Sequence, residues 1–339
     1  MSHAPRDCAT CGETHCAMHR THGIGEPPVA RASYVLDDAW PEYASLVAAQ
    51  LRPDDQLLAP GLRGGWPARY RWGPQAQHPA ALATALRHLA MRRVRAAPGA
   101  VRQAAYLRHD RALARSLARR IDYRAEHLVV AQRWLPWLGE VLGGRSFDVL
   151  MQRYPMLELH RLLDAAAAAT GKSPSLTDFR ADPALAEREA VLLGRARRVI
   201  TPHHGIGALF AGRAVQLAWH LPGAAGPGGG ERVAFLGPSI ARERPDIVRR
   251  LAAGLEQPLV VFGAMLEPHW WDGLPIERRA MDAQWLRDIG TVCHPATVTH
   301  EPRRLLEAAA SGVRICATAA SGLDRRHYDD IESPAFTLN

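Results

Sequence analysis

The chain has 339 residues, 47% hydrophobic and 22% charged, with a formal net charge of +8. That length suffices for two domains with separate cores, and the composition excludes a disordered or fibrous chain. Lys172 is the only lysine, so the basic charge is arginine and runs along the whole chain. A nucleic-acid partner would call for a basic stripe with interleaved aromatics; only His88–Arg120 approaches one, and it reads as a solvated helix face. No apolar run is long enough to span a bilayer, and Met1–His22 lacks the apolar stretch of a secretory leader. An odd number of cysteines, three of them crowded near the N-terminus, predicts no disulfide framework and a reducing, cytoplasmic setting.

Residues 1–28 form a segment of their own. Cys8, Cys11 and Cys16 give the spacing C-x2-C-x4-C, with His15, His19 and His22 among and after them. Gly12 supplies the backbone freedom of a tight chelating turn. Two metal readings stand side by side. Cys8, Cys11, Cys16 and His19 make a tetrahedral Cys3His zinc set. Alternatively, three local thiolates hold an iron–sulfur cluster with a distant fourth ligand, for which Cys293 and Cys316 are the available cysteines. An unliganded tail is the bland alternative.

Beyond the Glu26-Pro27-Pro28 linker, helix and strand signals alternate. Strands are predicted at Ala32–Leu36 and Gln56–Ala59 around a helix at Trp40–Leu51. The loop 60–73 mixes four glycines with Arg63, Arg69 and Arg71, but it carries neither a dinucleotide fingerprint nor a Walker lysine. Residues 79–120 read as a helical insertion broken at Ala97-Pro98-Gly99. Alternation resumes with strand His127–Gln132, helix Trp134–Leu142, strand Phe147–Gln152, and helices Leu157–Thr170 and Ala184–Ala196. Strand Val199–Thr201 then turns through Pro202-His203-His204 into helix Ile206–Gly212. The run from Leu221 to Gly230 is a glycine-rich linker. After it come strand Arg232–Leu236, helix Ile247–Leu255, strand Leu259–Gly263, helix Trp285–Ile289 and strand Thr291–His294.

The most informative stretch is His300–Thr318, HEPRRLLEAAASGVRICAT. Pro302 suits the start of a helix, and Leu305, Leu306, Ala309 and Ala310 recur at helical spacing. Gly312 suits a left-handed stop, and Val313–Ala317 is a buried strand. This stretch resembles the C-terminal signature of nucleotide-sugar glycosyltransferases of the GT-B type, an E-x7-E pattern inside "LLEAMACGxPVIAT". The segment Glu189–Phe210 similarly resembles the last strand–turn–helix of the N-terminal domain of that family.

The resemblance implies an α/β protein of two Rossmann-like domains, with the helical insertion and the short N-terminal metal-binding segment added. Its domains would be 29–222 and 223–339. It implies transfer of a sugar from a nucleotide-sugar donor to an unspecified acceptor. Glu307 would take the nucleotide ribose. Arg242 or Arg244, and Arg303 or Arg304, would hold the diphosphate. His203 would act as an acid–base or phosphate-binding group, with helix capping or packing as its alternative. Thr299 stands where the family's first glutamate is expected, and no lysine follows Arg242 and Arg244. A second reading follows from these departures: a catalytically degenerate GT-B-like protein using the metal segment in binding or redox sensing.

Overall fold

The computed structural model describes residues 31–61, 70–73, 77–178, 180–223 and 229–338. The first strands and helices are β1 (Arg31–Val35), α1 (Pro41–Gln50), β2 (Gln56–Ala59), β3 (Gln77–Pro79), α2 (Ala81–Arg93), α3 (Gly99–Ala118) and β4 (Ala125–Ala131). Then follow β5 (Ser146–Leu150), α4 (Met156–Thr170), α5 (Pro174–Thr177), α6 (Pro183–Arg195), β6 (Arg198–Thr201), α7 (His204–Leu209) and β7 (Ala214–Gln216). The remainder comprises β8 (Arg232–Leu236), α8 (Pro245–Ala252), β9 (Leu259–Phe262), β10 (Ile276–Arg279), β11 (Ile289–His294), α9 (Arg303–Ala310), β12 (Arg314–Ala317) and β13 (Asp329–Asp330).

Two sheets result. The first has the order β3-β2-β1-β4-β5-β6-β7, and the second β10-β9-β8-β11-β12-β13. Pairings from β3 across to β6, and from β10 across to β13, are parallel. Parallel sheets are covered on both faces, which is why their central strands are continuous apolar runs such as Leu128–Ala131 and Leu259–Phe262, buried throughout. In each sheet the strand order reverses once, between β1 and β4 and between β8 and β11. Loops leave in opposite directions there and open a crevice beyond the strand C-termini.

The chain divides into two units. One comprises Met1–Met156, Ala181–Thr201 and Phe210–Val215; the other comprises Leu157–Arg180, Pro202–Leu209 and Gln216–Asn339. The second unit recruits α4 and α5 because Leu163, Ala166 and Leu176 bury their apolar faces with Ala241 and the partly buried Trp270. Two apolar layers sandwich the second sheet. Leu236, Phe262, Trp285, Leu305 and Leu306 belong to one, and Phe235, Val248, Val261, Cys293 and Cys316 to the other.

Two predicted helices are not helices. Trp134–Leu142 shortens to a 3-10 helix over Gln132–Trp137, because Pro136 within it has no N–H to continue the ladder. Trp285–Ile289 is a set of turns ended by Asp288, whose φ of 64° is left-handed. Arg279 holds the Asp288 carboxylate at 2.6 and 3.0 Å. Strands β3, β7, β10 and β13 escape the sequence reading because they are short, mostly polar edge strands.

The end of α9 is built as the sequence predicts. The Gly312 N–H bonds to the Ala309 carbonyl at 3.1 Å and the Val313 N–H to the Ala308 carbonyl at 3.0 Å, with Gly312 at φ 75°. This is the Schellman pattern. No atom lies within 4 Å of a Cβ added there, so Gly312→Ala meets backbone strain alone. It should cost about 1 kcal/mol, read as a lower denaturation midpoint with an unchanged slope.

Candidate functional site

In the second unit, the crevice beyond β8 and β11 is bridged by a histidine. His294, the last residue of β11, places Nδ1 2.7 Å from the Leu236 carbonyl at the end of β8 and Nε2 2.9 Å from the Thr299 hydroxyl. The loop after β8 lies tight against the one after β9. Gly263 has a φ of 100°, and a Cβ there would meet the Gly237 carbonyl oxygen at 2.5 Å. Ser239 in the same loop accepts from the Trp271 indole at 2.7 Å.

Glu307 projects from α9 and is held from two sides through one oxygen. The Trp285 indole donates to Oε2 at 3.2 Å and the Arg304 guanidinium at 2.6 Å. Oε1 has no hydrogen-bond partner among the described residues, which leaves an oriented acceptor. Arg304 is thus spent on Glu307. Arg303 donates to Glu301 at 2.9 Å and lies over the Trp219 ring at 5.5 Å. Arg244, at φ 54°, grips Asp246 with two bonds of 3.0 and 3.1 Å. It therefore closes its own helix start. Arg242 runs beside Glu243, with 3.5 Å between Nε and Oε1, and its backbone carbonyl accepts from the Thr297 N–H at 2.9 Å. Of the two arginines after β8, Arg242 is the one whose backbone is tied to the loop after β11.

His203 is buried with both ring nitrogens engaged. Nδ1 accepts from the Ile206 N–H at 3.2 Å, so Nε2 carries the proton and donates to the Thr299 carbonyl at 2.9 Å. Burial pushes its pKa down to about 4, so the ring is neutral near pH 7 and able to donate and accept at once. An acid–base role read from the sequence requires a ring nitrogen open to substrate. The hydrogen bonds fit the capping alternative: His203 caps α7 and fastens the Thr299 loop that leads to α9. Thr299, at the place of the family's first glutamate, is held through both its carbonyl and its hydroxyl.

The first unit has a corresponding site that the sequence reading missed. Two indoles fix the backbone at the end of β1: Trp134 donates to the Leu36 carbonyl and Trp72 to the Asp37 carbonyl, both at 2.9 Å. Asp37 is thereby set at the strand reversal, 1% exposed. A chain of alternating charge runs from it. Asp37 Oδ2 meets Arg133 Nη1 at 2.6 Å, Arg133 Nε lies 3.6 Å from Asp110, and Asp110 meets Arg87 Nε at 2.6 Å. The other oxygen of Asp37, Oδ1, is buried without a partner among the described residues. Burial, opposed by Arg133, pushes the Asp37 carboxyl up to about 6. Tyr70, Arg87, Asp110, Arg133 and Arg153 line a cavity of about 310 Å³ here. The available signal was Asp37-Asp38 directly after an apolar strand; the partners Arg87 and Asp110 come from the helical insertion and are recognisable only once folded.

Cys8, Cys11, Cys16 and His19 lie outside the described residues. Among the described residues, no group of three or more His, Cys, Asp or Glu side chains could hold a metal ion. Cys293 and Cys316 sit opposite each other on β11 and β12, fully buried. Their mutual hydrogen bond and burial push the Cys293 thiol up. Both thiols thus face each other inside an apolar layer of the second unit.

No protein-family model matches the chain, and no curated protein sequence matches it. Solved structures do. The lipopolysaccharide outer core galactosyltransferase WaaB, in its apo form, aligns with a TM-score of 0.51 at 10% identity, covering 88% of this chain and 84% of that one. CalG4, the calicheamicin glycosyltransferase, aligns at 0.41 and 16% identity, covering 86% and 80%. UGT71G1 of Medicago truncatula, complexed with UDP-glucose, aligns at 0.39 and 11% identity, covering 85% and 80%. No helix among the described residues is long and apolar enough to cross a membrane. With its two parallel, doubly wound sheets and its alignment to WaaB, the chain has the fold of the GT-B glycosyltransferases.

Proposed function

We propose that the protein transfers a sugar from a nucleotide-sugar donor to an acceptor hydroxyl. The observation that carries the reading is Glu307, oriented by Trp285 and Arg304 with Oε1 left to accept. A carboxylate accepting from both vicinal hydroxyls of a ribose is strong, charge-assisted recognition. Arg242 is the diphosphate candidate in the adjoining loop. In the transfer, the bond between the anomeric carbon and the diphosphate breaks, and a bond to the acceptor oxygen forms. The negative charge gathering on the diphosphate needs fixed positive groups and dipoles more than it needs a base. Asp37, 1% exposed and bound to Arg133, is as closed to substrate as His203 and is read as a structural carboxyl of the first unit.

The test is a thermal-shift panel of uridine, guanosine and adenosine diphosphate sugars, followed by calorimetry. A nucleotide that stabilises the protein should bind Glu307→Ala about 10- to 100-fold more weakly, the scale of roughly 1–3 kcal/mol for a lost hydrogen bond to a charged group. A protein that no nucleotide stabilises would refute the reading. Unchanged affinity in Glu307→Ala would refute the ribose assignment alone.

A further inference from the structure

Helix α2 is amphipathic in the reverse sense. Its buried residues are Thr84 and Arg87, and the Arg87 guanidinium is tied to Asp110 on α3 at 2.6 Å. Its outward residues include Leu82, Leu86 and Leu89, 74%, 53% and 52% exposed. Spaced i, i+4 and i+7, the three leucines form one continuous stripe. A helix packed on a core normally turns such a stripe inward. Here the polar side is needed inside by the Arg87–Asp110–Arg133 chain, but that does not account for leucines on the outside. Single exposed apolar residues need no explanation; a contiguous stripe does.

The charge around the stripe narrows the occupant. Arg93 follows Leu89 on the same face, with Arg92 beside it, and Arg95 and Arg102 flank the turn into α3; all four are exposed. Val101, at the start of α3, is 50% exposed. No acidic residue occurs between Asp55 and Asp110. Aliphatic side chains beside guanidiniums with no ion-pair partner among the described residues match an anionic lipid surface, where the leucines enter the acyl boundary and the arginines meet headgroup phosphates. A single-stranded nucleic acid would call for exposed aromatics to stack on its bases, and the stripe has none.

We propose that the outer face of α2, continued by the start of α3, docks this protein on an anionic membrane surface. The inference stands apart from the sugar-transfer reading, and either can fail without the other. The test is co-sedimentation of the full chain with phosphatidylglycerol vesicles and with phosphatidylcholine vesicles. Binding should favour phosphatidylglycerol and weaken as salt rises. The double variant Leu86→Gln/Leu89→Gln should bind at least about tenfold more weakly, with an unchanged circular dichroism melt because both side chains face outward. Arg92→Gln/Arg93→Gln should lose the preference for the anionic lipid. No binding to phosphatidylglycerol, or equal binding by the leucine variant, overturns the proposal. So does binding to a single-stranded RNA without binding to vesicles, or a dimer in light scattering that the leucine variant turns into a monomer.

Discussion

Replacing Arg133 by alanine should destabilise the first unit by about 3–5 kcal/mol, the cost of removing one partner of a buried pair. The carboxylate left behind is Asp37, 1% exposed and with Oδ1 already unpaired among the described residues. Arg133 is the largest influence opposing burial there, so its loss raises the Asp37 pKa further. The direction of the pH dependence follows. A carboxyl whose folded pKa lies above its unfolded one binds more protons folded than unfolded, so this group's contribution to stability falls as pH rises from near 4 through about 6. In Arg133→Ala the fall extends to higher pH, so the gap between variant and wild type should be small near pH 5 and large near pH 8. Chemical denaturation at the two pH values measures it. Arg133→Ala/Asp37→Asn should recover much of the loss, because no buried charge is left unpaired. A gap independent of pH, or a double variant as weak as the single one, would show that Arg133 acts through packing on Trp134, whose ring it overlies at 5.9 Å.

The contrast between the two units shows what a sequence can carry. Around α9 the determinants are local: Leu305, Leu306 and Gly312 announce a helix, its apolar face and its stop within a dozen residues, and Glu307 is placed by that local geometry. The Asp37 chain is the opposite case. Its members come from the end of β1, from the 3-10 helix after β4, and from both helices of the insertion, and the fold alone brings them together. Arg87 was indistinguishable in sequence from Arg92 or Arg93, although one is buried in an ion pair and the others are exposed. His203 fell between these cases. Its position after β6 was legible, but its role depends on Thr299, a residue 96 positions away. Sequence periodicity reports which face of a helix is apolar; it does not report which partner a polar side chain will find, and on α2 that partner reversed the helix.

Gly322→Ala should cost about 2–5 kcal/mol and disturb the loop that leads to α9 and the proposed nucleotide site as well. Gly322 has a φ of 74°, and a Cβ there would lie 2.3 Å from His203 Cδ2 and 2.4 Å from Nε2. Left-handed strain in a residue with a Cβ contributes about 1–2 kcal/mol, and forcing the imidazole aside contributes about 1–3 more. The ring cannot shift without releasing the Thr299 carbonyl, and Thr299 also partners His294 through its hydroxyl. A second consequence separates this effect from strain alone. His203 is buried with its pKa lowered to about 4, so between that value and its usual 6.5 the folded protein binds fewer protons at this site than the unfolded chain does. Its contribution to stability therefore rises with pH across that interval and is lost on acidification. Once the ring is displaced towards solvent, its pKa returns towards the ordinary value and the slope should flatten. His203→Gln keeps a donor and an acceptor in nearly the same place but does not titrate, so it should flatten the same slope at a smaller cost in stability. Denaturation of wild type and both variants at pH 5 and pH 7 decides the matter: equal slopes in all three would mean that His203 does not titrate with folding. Nucleotide affinity at pH 7 then reports the second effect. A loss in Gly322→Ala that His203→Gln does not share would trace the position of the Thr299 loop to the ring's place rather than to its charge.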